Sequence, residues 1–202
     1  MHGLINRAVQ CFVRDIYGAE AWAKLGAAVG VGPGGFEAML TYDDKVTFRL
    51  IDELCRMRER PPEDILEDLG TYLVTHDNTR PIRRLMRFSG QSFSELLFSL
   101  DDLPDRARLA VPELEVPDLL LTELQPGRYK LQVSSPHGGF GPVMAGALRA
   151  LADDYGALAF LEVQDAMGRH EVLLIDLLDA EFAEAKQFYL GGGLKSGSEG
   201  VQ

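Results

Sequence analysis

The spacing of apolar residues changes near residue 103, and this change constrains the fold more than any other feature. From Leu4 to about Leu103, apolar side chains recur at intervals of three and four residues, as they do in amphipathic helices. After Pro104 the apolar stretches become short or alternate with polar residues, as they do in strands. The sequence therefore predicts a single α+β domain over residues 1–190, with a helical subdomain (1–103) followed by an α/β subdomain (104–190).

Six helices are predicted in the first half. Gly18 is expected to end the first of them, and a second is expected from about Ala19 to Val29. The glycine-rich stretch "GVGPGG" (30–35) is interpreted as a loop. No strand precedes it and no Lys-Ser/Thr pair follows it, so it does not match a phosphate-binding loop.

The second half is predicted to be an antiparallel sheet with one helix packed on it. Turn residues in "QPGR" (125–128) and "DAMGR" (165–169) separate pairs of apolar stretches, which indicates two hairpins. The stretch "GPVMAGALRALADDYG" (141–156) has helical spacing and is the packed helix. The tail, residues 191–202, carries few apolar residues and is expected to be disordered.

The charge balance restricts the partners that such a chain can have. The sequence contains 20 Lys and Arg residues against 31 Asp and Glu residues, a formal net charge of −11. Nucleic acids and anionic membrane surfaces both attract basic patches, so no nucleic-acid partner and no membrane insertion are expected. A cytoplasmic protein is predicted, with Cys11 and Cys55 as buried, reduced thiols.

Five collinear stretches resemble the heme nitric oxide/oxygen binding (H-NOX) domains, which are sensor domains of bacterial signalling proteins and of soluble guanylate cyclase. The stretches are "MHGLINRAVQCFVRDIYGAEAW", "YDDKVTFRLIDEL", "LGTYLV", "FSGQSFSELLFSLDDL" and "GPVMAGALRALADDYG". The resemblance covers about residues 1–160. It implies a helical subdomain and an α/β subdomain that enclose heme. It also implies a signalling partner in trans, such as a kinase or a cyclase.

The resemblance places the iron-ligating histidine of the family immediately after "LDDL", where this sequence has Pro104. Proline has no side-chain donor atom and cannot ligate iron. Its ring and missing N–H also disfavour an uninterrupted helix. The helix is therefore expected to break at Leu103, with Leu103 pushed out of the α-helical region, and to restart with Pro104 as its first residue.

The second family signature, Tyr-x-Ser-x-Arg, holds the two heme propionates through hydroxyl and guanidinium groups. The matching positions here are Val133, Ser135 and His137. Only the serine is kept, and a titratable imidazole replaces the guanidinium fork. Ser135 and His137 remain candidate cofactor contacts, but conventional histidine-ligated heme binding is predicted to be lost.

Two functions are therefore carried forward from the sequence. The first is a stand-alone, non-enzymatic regulatory domain that acts through protein contacts or through another apolar ligand. The second is a heme-binding gas sensor whose substitute axial ligand is His137 or His76, although either histidine is also explained as an ordinary loop or helix-end residue.

His2 and His170 are interpreted as surface or strand-start residues. Ser134, Ser135 and His137 lie too close together along the chain to form a catalytic triad, and no enzyme is predicted.

Four arginines in "RPIRRLMRF" share one helical face, which is unusual in such an acidic chain. This face is either a solvated surface balanced by nearby acids or a docking surface for an acidic partner. Its members are Arg80, Arg83, Arg84 and Arg87.

Overall fold

The computed structural model of the protein describes residues 1–87, 91–167 and 170–178. In these ranges seven helices precede a four-stranded sheet, and an eighth helix lies between the second and third strands. The helices are α1 (Gly3–Tyr17), α2 (Ala19–Val29), α3 (Asp44–Arg58), α4 (Pro62–Thr75), α5 (Arg80–Met86), α6 (Phe93–Phe98), α7 (Leu103–Ala110) and α8 (Phe140–Asp154). The strands are β1 (Asp118–Gln125), β2 (Arg128–Ser134), β3 (Ala159–Met167) and β4 (His170–Leu177). The predicted α+β class is confirmed, and the predicted disordered tail (191–202) lies outside the described residues.

Local signals in the sequence fix the ends of α1. Gly18 follows the helix at φ 90°, a conformation that favours glycine, so the predicted helix end is confirmed. At the other end, His2 Nδ1 accepts a hydrogen bond from the backbone N–H of Leu4. The interpretation of His2 as a surface residue was wrong, because its side chain is buried where it caps the helix and its backbone forms a bridge to Thr41.

The helical path around Pro104 differs from the prediction in one respect. A 3-10 turn (Leu100–Asp102) follows α6, and α7 restarts at Leu103 with Pro104 in its first turn, where no N–H is needed. The expected break and restart are therefore present, one residue earlier than predicted. Leu103 itself is α-helical, with φ −59° and ψ −43°, because its N–H bonds to Leu100 O and joins the 3-10 turn to the helix. That hydrogen bond outweighs the steric preference of a residue before proline.

The sheet is antiparallel throughout, and its strands lie in the order β1-β2-β4-β3. Gly127 adopts φ 76° in the turn between β1 and β2, which confirms the first predicted hairpin. The strands β3 and β4 also pair as predicted, although residues 168–169 of their turn lie outside the described residues. His170 begins β4, as expected.

Two separate hydrophobic clusters hold the chain together. The N-terminal cluster is built by α1 to α4 around residues such as Phe12 and Leu50, and the C-terminal cluster is built mainly by α6, α8 and the sheet around Leu131 and Leu148. All four of these side chains are at most 1% exposed. The predicted division between residues 103 and 104 falls in the first turn of α7 and stays a prediction; α6, which lies before it, packs in the C-terminal cluster.

The helices α4 and α8 join the two clusters and pack with their backbones in contact. A Cβ atom added at Gly70 would lie 2.0 Å from Val143 O, and one added at Gly146 would lie 1.9 Å from Glu67 O. Only residues without a side chain allow the two helices to approach this closely. The crossing therefore fixes how the two hydrophobic clusters meet.

Both cysteines are free thiols, as predicted, but they are half-buried rather than buried. Burial is the main cause that raises the pKa of the Cys55 thiol, and the carboxylates of Asp52 and Glu63 raise it further. The thiol is therefore largely protonated at neutral pH.

We expect Cys55 to react with iodoacetamide more slowly than free cysteine does at pH values near 8, because less of its thiol is ionised. Mass spectrometry of the alkylated peptides measures the rate.

Candidate functional site

A large apolar cavity lies between the two hydrophobic clusters. Its volume is about 1150 Å³, somewhat above the usual range for small-molecule sites. Its walls come from α1, α3, α4, α5, α7, the loop before α8, α8 itself and the edge of the sheet. Apolar lining residues include Ile5, Ala8, Phe48, Ile51, Leu66, Leu73, Ile82, Leu85, Leu114, Phe140 and Val143.

The wall formed by α7 contains no atom that could ligate a metal. The residues that α7 presents to the cavity are Ala107 and Ala110, and Val111 follows directly after the helix. Pro104, at the position where the family resemblance places the iron ligand, is buried and does not line the cavity. Elsewhere in the described part of the chain, no group of three or more His, Cys, Asp or Glu side chains is arranged to hold a metal ion.

The three positions of the second signature lie close together at the end of β2 and in the loop that follows. Val133 is buried in the sheet and offers no donor. The Ser135 hydroxyl oxygen is also buried and accepts a hydrogen bond from the backbone N–H of His137 at 3.1 Å. His137 lines the cavity, and its ring lies edge-on to Phe48 with 5.8 Å between the ring centroids.

The His137 imidazole faces a carboxylate of the same chain. Its Nε2 atom lies 3.5 Å from Asp44 Oδ2, while Asp44 Oδ1 accepts a hydrogen bond from the Met1 ammonium group at 2.5 Å. The hydrogen bond from Met1 is the main cause that holds the pKa of Asp44 below its ordinary value. Asp44 is therefore an anion placed between the start of α1 and the loop that carries His137.

A second carboxylate of the same chain, which no sequence pattern marks, lies at the start of α8. Glu171 Oε1 accepts a hydrogen bond from the N–H of Gly139 at 3.0 Å, and its Oε2 accepts one from the N–H of Gly141 at 2.9 Å. Gly139 has φ 96°, which turns its N–H toward the carboxylate. Glu171 lies directly opposite Val133 in the register of β2 and β4. No local motif marks it, because the contact depends on strand pairing.

The ionisable residues around the cavity are mostly acidic. Arg149 is the only arginine or lysine among the described lining residues, and it forms an ion pair with Glu67. The remaining carboxylates there are Asp52, Glu63, Glu162 and Glu171. An anionic ligand would therefore find few unpaired positive groups in this cavity.

Comparison with known proteins identifies the family of this chain and supports its fold. The family model for haem-NO-binding domains matches residues 2–161. The chain belongs to the H-NOX family. Members of this family are heme-based gas-sensor domains and are not catalytic themselves. The resemblance inferred from five sequence stretches is confirmed.

The relatives are distant in sequence. Soluble guanylate cyclase gcy-31 of Caenorhabditis elegans is 21% identical over 154 residues, which are 76% of this chain and 22% of the relative. Soluble guanylate cyclase 89Da of Drosophila melanogaster is 20% identical over 158 residues, 78% of this chain and 24% of the relative. The chain thus spans less than a quarter of the length of these cyclases.

Solved H-NOX structures share the fold. An H-NOX protein from S. oneidensis in the Fe(II)NO ligation state superposes with a TM-score of 0.73 at 18% identity, covering 88% of this chain and 99% of that one. The Fe(II) unliganded H-NOX protein from K. algicida superposes with a TM-score of 0.72 at 16% identity, covering 88% and 96%. Among the described residues of this H-NOX domain, no helix is both long and apolar enough to span a membrane.

His76, a candidate axial ligand from the sequence, does not line the cavity of this H-NOX domain. It caps the C-terminus of α4, and its ring stacks on Tyr72 with 4.8 Å between the centroids. Its Nδ1 atom lies 3.6 Å from Asp15 Oδ2 and accepts a hydrogen bond from the N–H of Asn78. Its place at the C-terminus of α4 agrees with the helix-end interpretation, and its role as an axial ligand stays a prediction.

Asp15, next to His76, should make the stability of the domain sensitive to acid. Burial raises the pKa of this carboxyl, but hydrogen bonds from Tyr72 Oη at 2.6 Å and Asn78 Nδ2 at 2.8 Å outweigh burial, so its pKa lies below the ordinary value. A group whose pKa is lowered in the folded state stabilises the fold above its unfolded-state pKa. That contribution is lost as the pH falls through the folded-state pKa.

We therefore expect the wild type to lose more unfolding free energy than Asp15→Asn as the pH falls from about 5 to about 2.5, because this window begins above the unfolded-state pKa and reaches below it. Urea unfolding at the two pH values measures this difference. Asp153→Asn removes an exposed carboxylate at the end of α8 and is the matched control; its unfolding free energy should fall with pH as that of the wild type does. If the unfolding free energies of Asp15→Asn and the wild type fell equally with pH, the ionised Asp15 carboxylate would not stabilise the fold as we infer.

Most of the arginine face predicted on α5 is paired within the chain. Arg83 and Arg87 both reach Asp154 at the end of α8, with N–O distances of 2.5 and 3.6 Å. Arg80 forms an ion pair with Asp77. Of these four arginines, only Arg84 forms no ion pair with a residue that the structure describes. These contacts favour the interpretation as a surface balanced by nearby acids, although the docking interpretation stays a prediction.

One serine–histidine contact lies outside the cavity. Ser134 Oγ and His170 Nδ1 are 2.8 Å apart across β2 and β4, and Gln132 also donates to the serine. No described carboxylate contacts His170 to orient it, as a catalytic triad would require. The pair forms a hydrogen bond between neighbouring strands.

Proposed function

We propose that this chain is a regulatory H-NOX domain without catalytic activity, in which histidine-ligated heme binding has been lost. It acts through protein contacts or by binding an apolar ligand other than heme. The observation that carries the proposal is the α7 wall, because Ala107, Ala110 and Val111 face the cavity while Pro104 stands at the position of the family's iron ligand.

The propionate end of the cavity supports the same proposal. Two heme carboxylates require several donors, and a bidentate arginine is the group best suited to them. Val133 supplies no donor, and the backbone N–H groups at the start of α8 already bind Glu171. The residues present therefore do not fit a heme that is held in the manner of the family.

The remaining cavity still favours an apolar occupant. Apolar walls without contact partners lose dispersion energy, and each buried CH₂ of a ligand contributes about 0.8 kcal/mol. About 1150 Å³ is ample for a lipid-sized or polycyclic molecule. Binding of such a ligand between the two hydrophobic clusters would favour one arrangement of the subdomains, which is the basis of a regulatory signal.

We propose a signalling protein as the partner, by analogy with the cyclases that the chain resembles. A kinase or a cyclase, in trans, fits this role, and a cytoplasmic location follows from it. The free, half-buried thiols are compatible with that location.

The proposal is tested by adding hemin to the purified protein and recording the absorption spectrum after removal of unbound hemin. A histidine-ligated heme gives an intense Soret band. We expect less than about 0.1 equivalent of bound heme, because the site lacks both the axial imidazole and the propionate donors. An H-NOX protein that binds heme, such as the one from S. oneidensis, is the positive control.

A heme sensor with a substitute ligand is the second candidate, and one observation favours His137 for this role. Its imidazole lines the cavity and is only 18% exposed. In that case hemin would bind stoichiometrically and His137→Ala would abolish the Soret band, while His76→Ala would leave it unchanged because His76 does not line the cavity. A stoichiometric Soret band in the wild type would overturn the first proposal.

A further inference from the structure

The start of α8 is a site built for a carboxylate, and the chain fills it with its own. Both oxygens of Glu171 accept backbone hydrogen bonds, from the N–H groups of Gly139 and Gly141. The helix dipole of α8 adds to the attraction, because a helix N-terminus carries a partial positive charge. The side chain is also packed, since a Cβ atom at Gly141 would lie 3.1 Å from Glu171 Cβ.

The polar groups of His137, beside this site, also contact other residues of the same chain. The backbone N–H of His137 binds the Ser135 hydroxyl oxygen, and the His137 imidazole faces Asp44. Two carboxylates of the chain itself, Glu171 and Asp44, thus face the groups at this end of the cavity that could receive an external anion. Their negative charges would also repel any anion that approached.

We propose that Glu171 is a specificity-determining residue that excludes anionic ligands from the cavity and leaves it to uncharged apolar ligands. An entering carboxylate must either displace Glu171 from two hydrogen bonds or remain beside it with a like charge, and both options are unfavourable. An uncharged ligand meets neither obstacle. This inference rests on the proposed function, because it defines the class of apolar ligand that the domain would bind.

Two fluorescent probes that differ by one anionic group test the inference. N-phenylnaphthylamine is uncharged, and anilinonaphthalene sulfonate has the same ring system with a sulfonate added. We expect the wild type to bind the uncharged probe at least about tenfold more tightly than the sulfonate. Glu171→Gln removes the charge with little change in shape, and Glu171→Ala also frees both N–H groups.

Both variants should reduce the preference for the uncharged probe by about tenfold, through tighter binding of the sulfonate, while the affinity for the uncharged probe changes by less than about twofold. Thermal unfolding and near-ultraviolet circular dichroism establish that each variant is folded. If Glu171→Ala does not fold, Glu171→Gln still gives the test, because the amide keeps one acceptor for the same N–H groups.

Glu63→Gln is the matched control, since Glu63 lines the cavity but the N–H groups of Gly139 and Gly141 donate to Glu171 instead. The inference is overturned if Glu63→Gln changes the preference as much as Glu171→Gln does, or if the wild type binds the sulfonate as tightly as the uncharged probe. Failure of the uncharged probe to bind would overturn it as well. None of these outcomes depends on heme, so the Soret measurement and the probe measurement fail independently.

Discussion

Gly146→Ala is expected to destabilise the domain by about 3 kcal/mol or more, the largest effect that we predict for a single methyl group. The added Cβ would lie 1.9 Å from Glu67 O, and the obstacle is backbone rather than a side chain that could rotate away. The helices α4 and α8 must therefore separate, and with them the two hydrophobic clusters. Urea-induced unfolding, followed by circular dichroism, measures the loss.

Gly70→Ala should have a similar effect, because its Cβ would lie 2.0 Å from Val143 O on the other side of the same crossing. Gly34→Ala is the control, since a Cβ there would have nothing within 4 Å. It should leave the unfolding free energy within about 0.5 kcal/mol of the wild type. If Gly146→Ala were as stable as Gly34→Ala, the close helix crossing would be wrong.

Ala8→Trp is expected to lower the affinity for the uncharged probe by at least about tenfold. Ala8 is half-buried on α1 and lines the cavity, so an indole in its place would project into the space that an apolar ligand needs. The fold should tolerate the change, because the cavity has room for the larger side chain. Fluorescence titration with N-phenylnaphthylamine measures the affinity.

Ala23→Trp places the same indole on the exposed face of α2 and serves as the control. It should bind the probe as the wild type does. If Ala8→Trp and the wild type bound the probe equally well, the probe would occupy another part of the molecule, and the cavity would not be the ligand site.

Much of the fold follows from local sequence signals. Gly18 ends α1 and the bounds of α2 match the prediction, because glycine conformations and apolar spacing act within a single helix. The turn at Gly127 likewise produces the predicted hairpin. The position of β4 between β2 and β3 could not be predicted, since pairing across a connection depends on how α8 covers the sheet.

The candidate site also combines features that the sequence predicts with features that it does not. Pro104 and Val133 could be identified by alignment with the family pattern, because each is a change at one position. Glu171 could not, since its hydrogen bonds to the loop before α8 arise from the register of β4 against β2. For Arg83, helical spacing predicted a shared basic face, whereas its partner Asp154 lies 71 residues further along the chain. Contacts between distant parts of the chain therefore decide where the side chains of Glu171 and Arg83 bind.

Native mass spectrometry of protein purified from cells supplied with hemin tests the central claim most directly, because it identifies what occupies the cavity without assuming an axial ligand. We expect the mass of the chain alone, or of the chain with an iron-free apolar molecule. A complex of the chain with one heme in the wild-type protein, lost on unfolding, would contradict it.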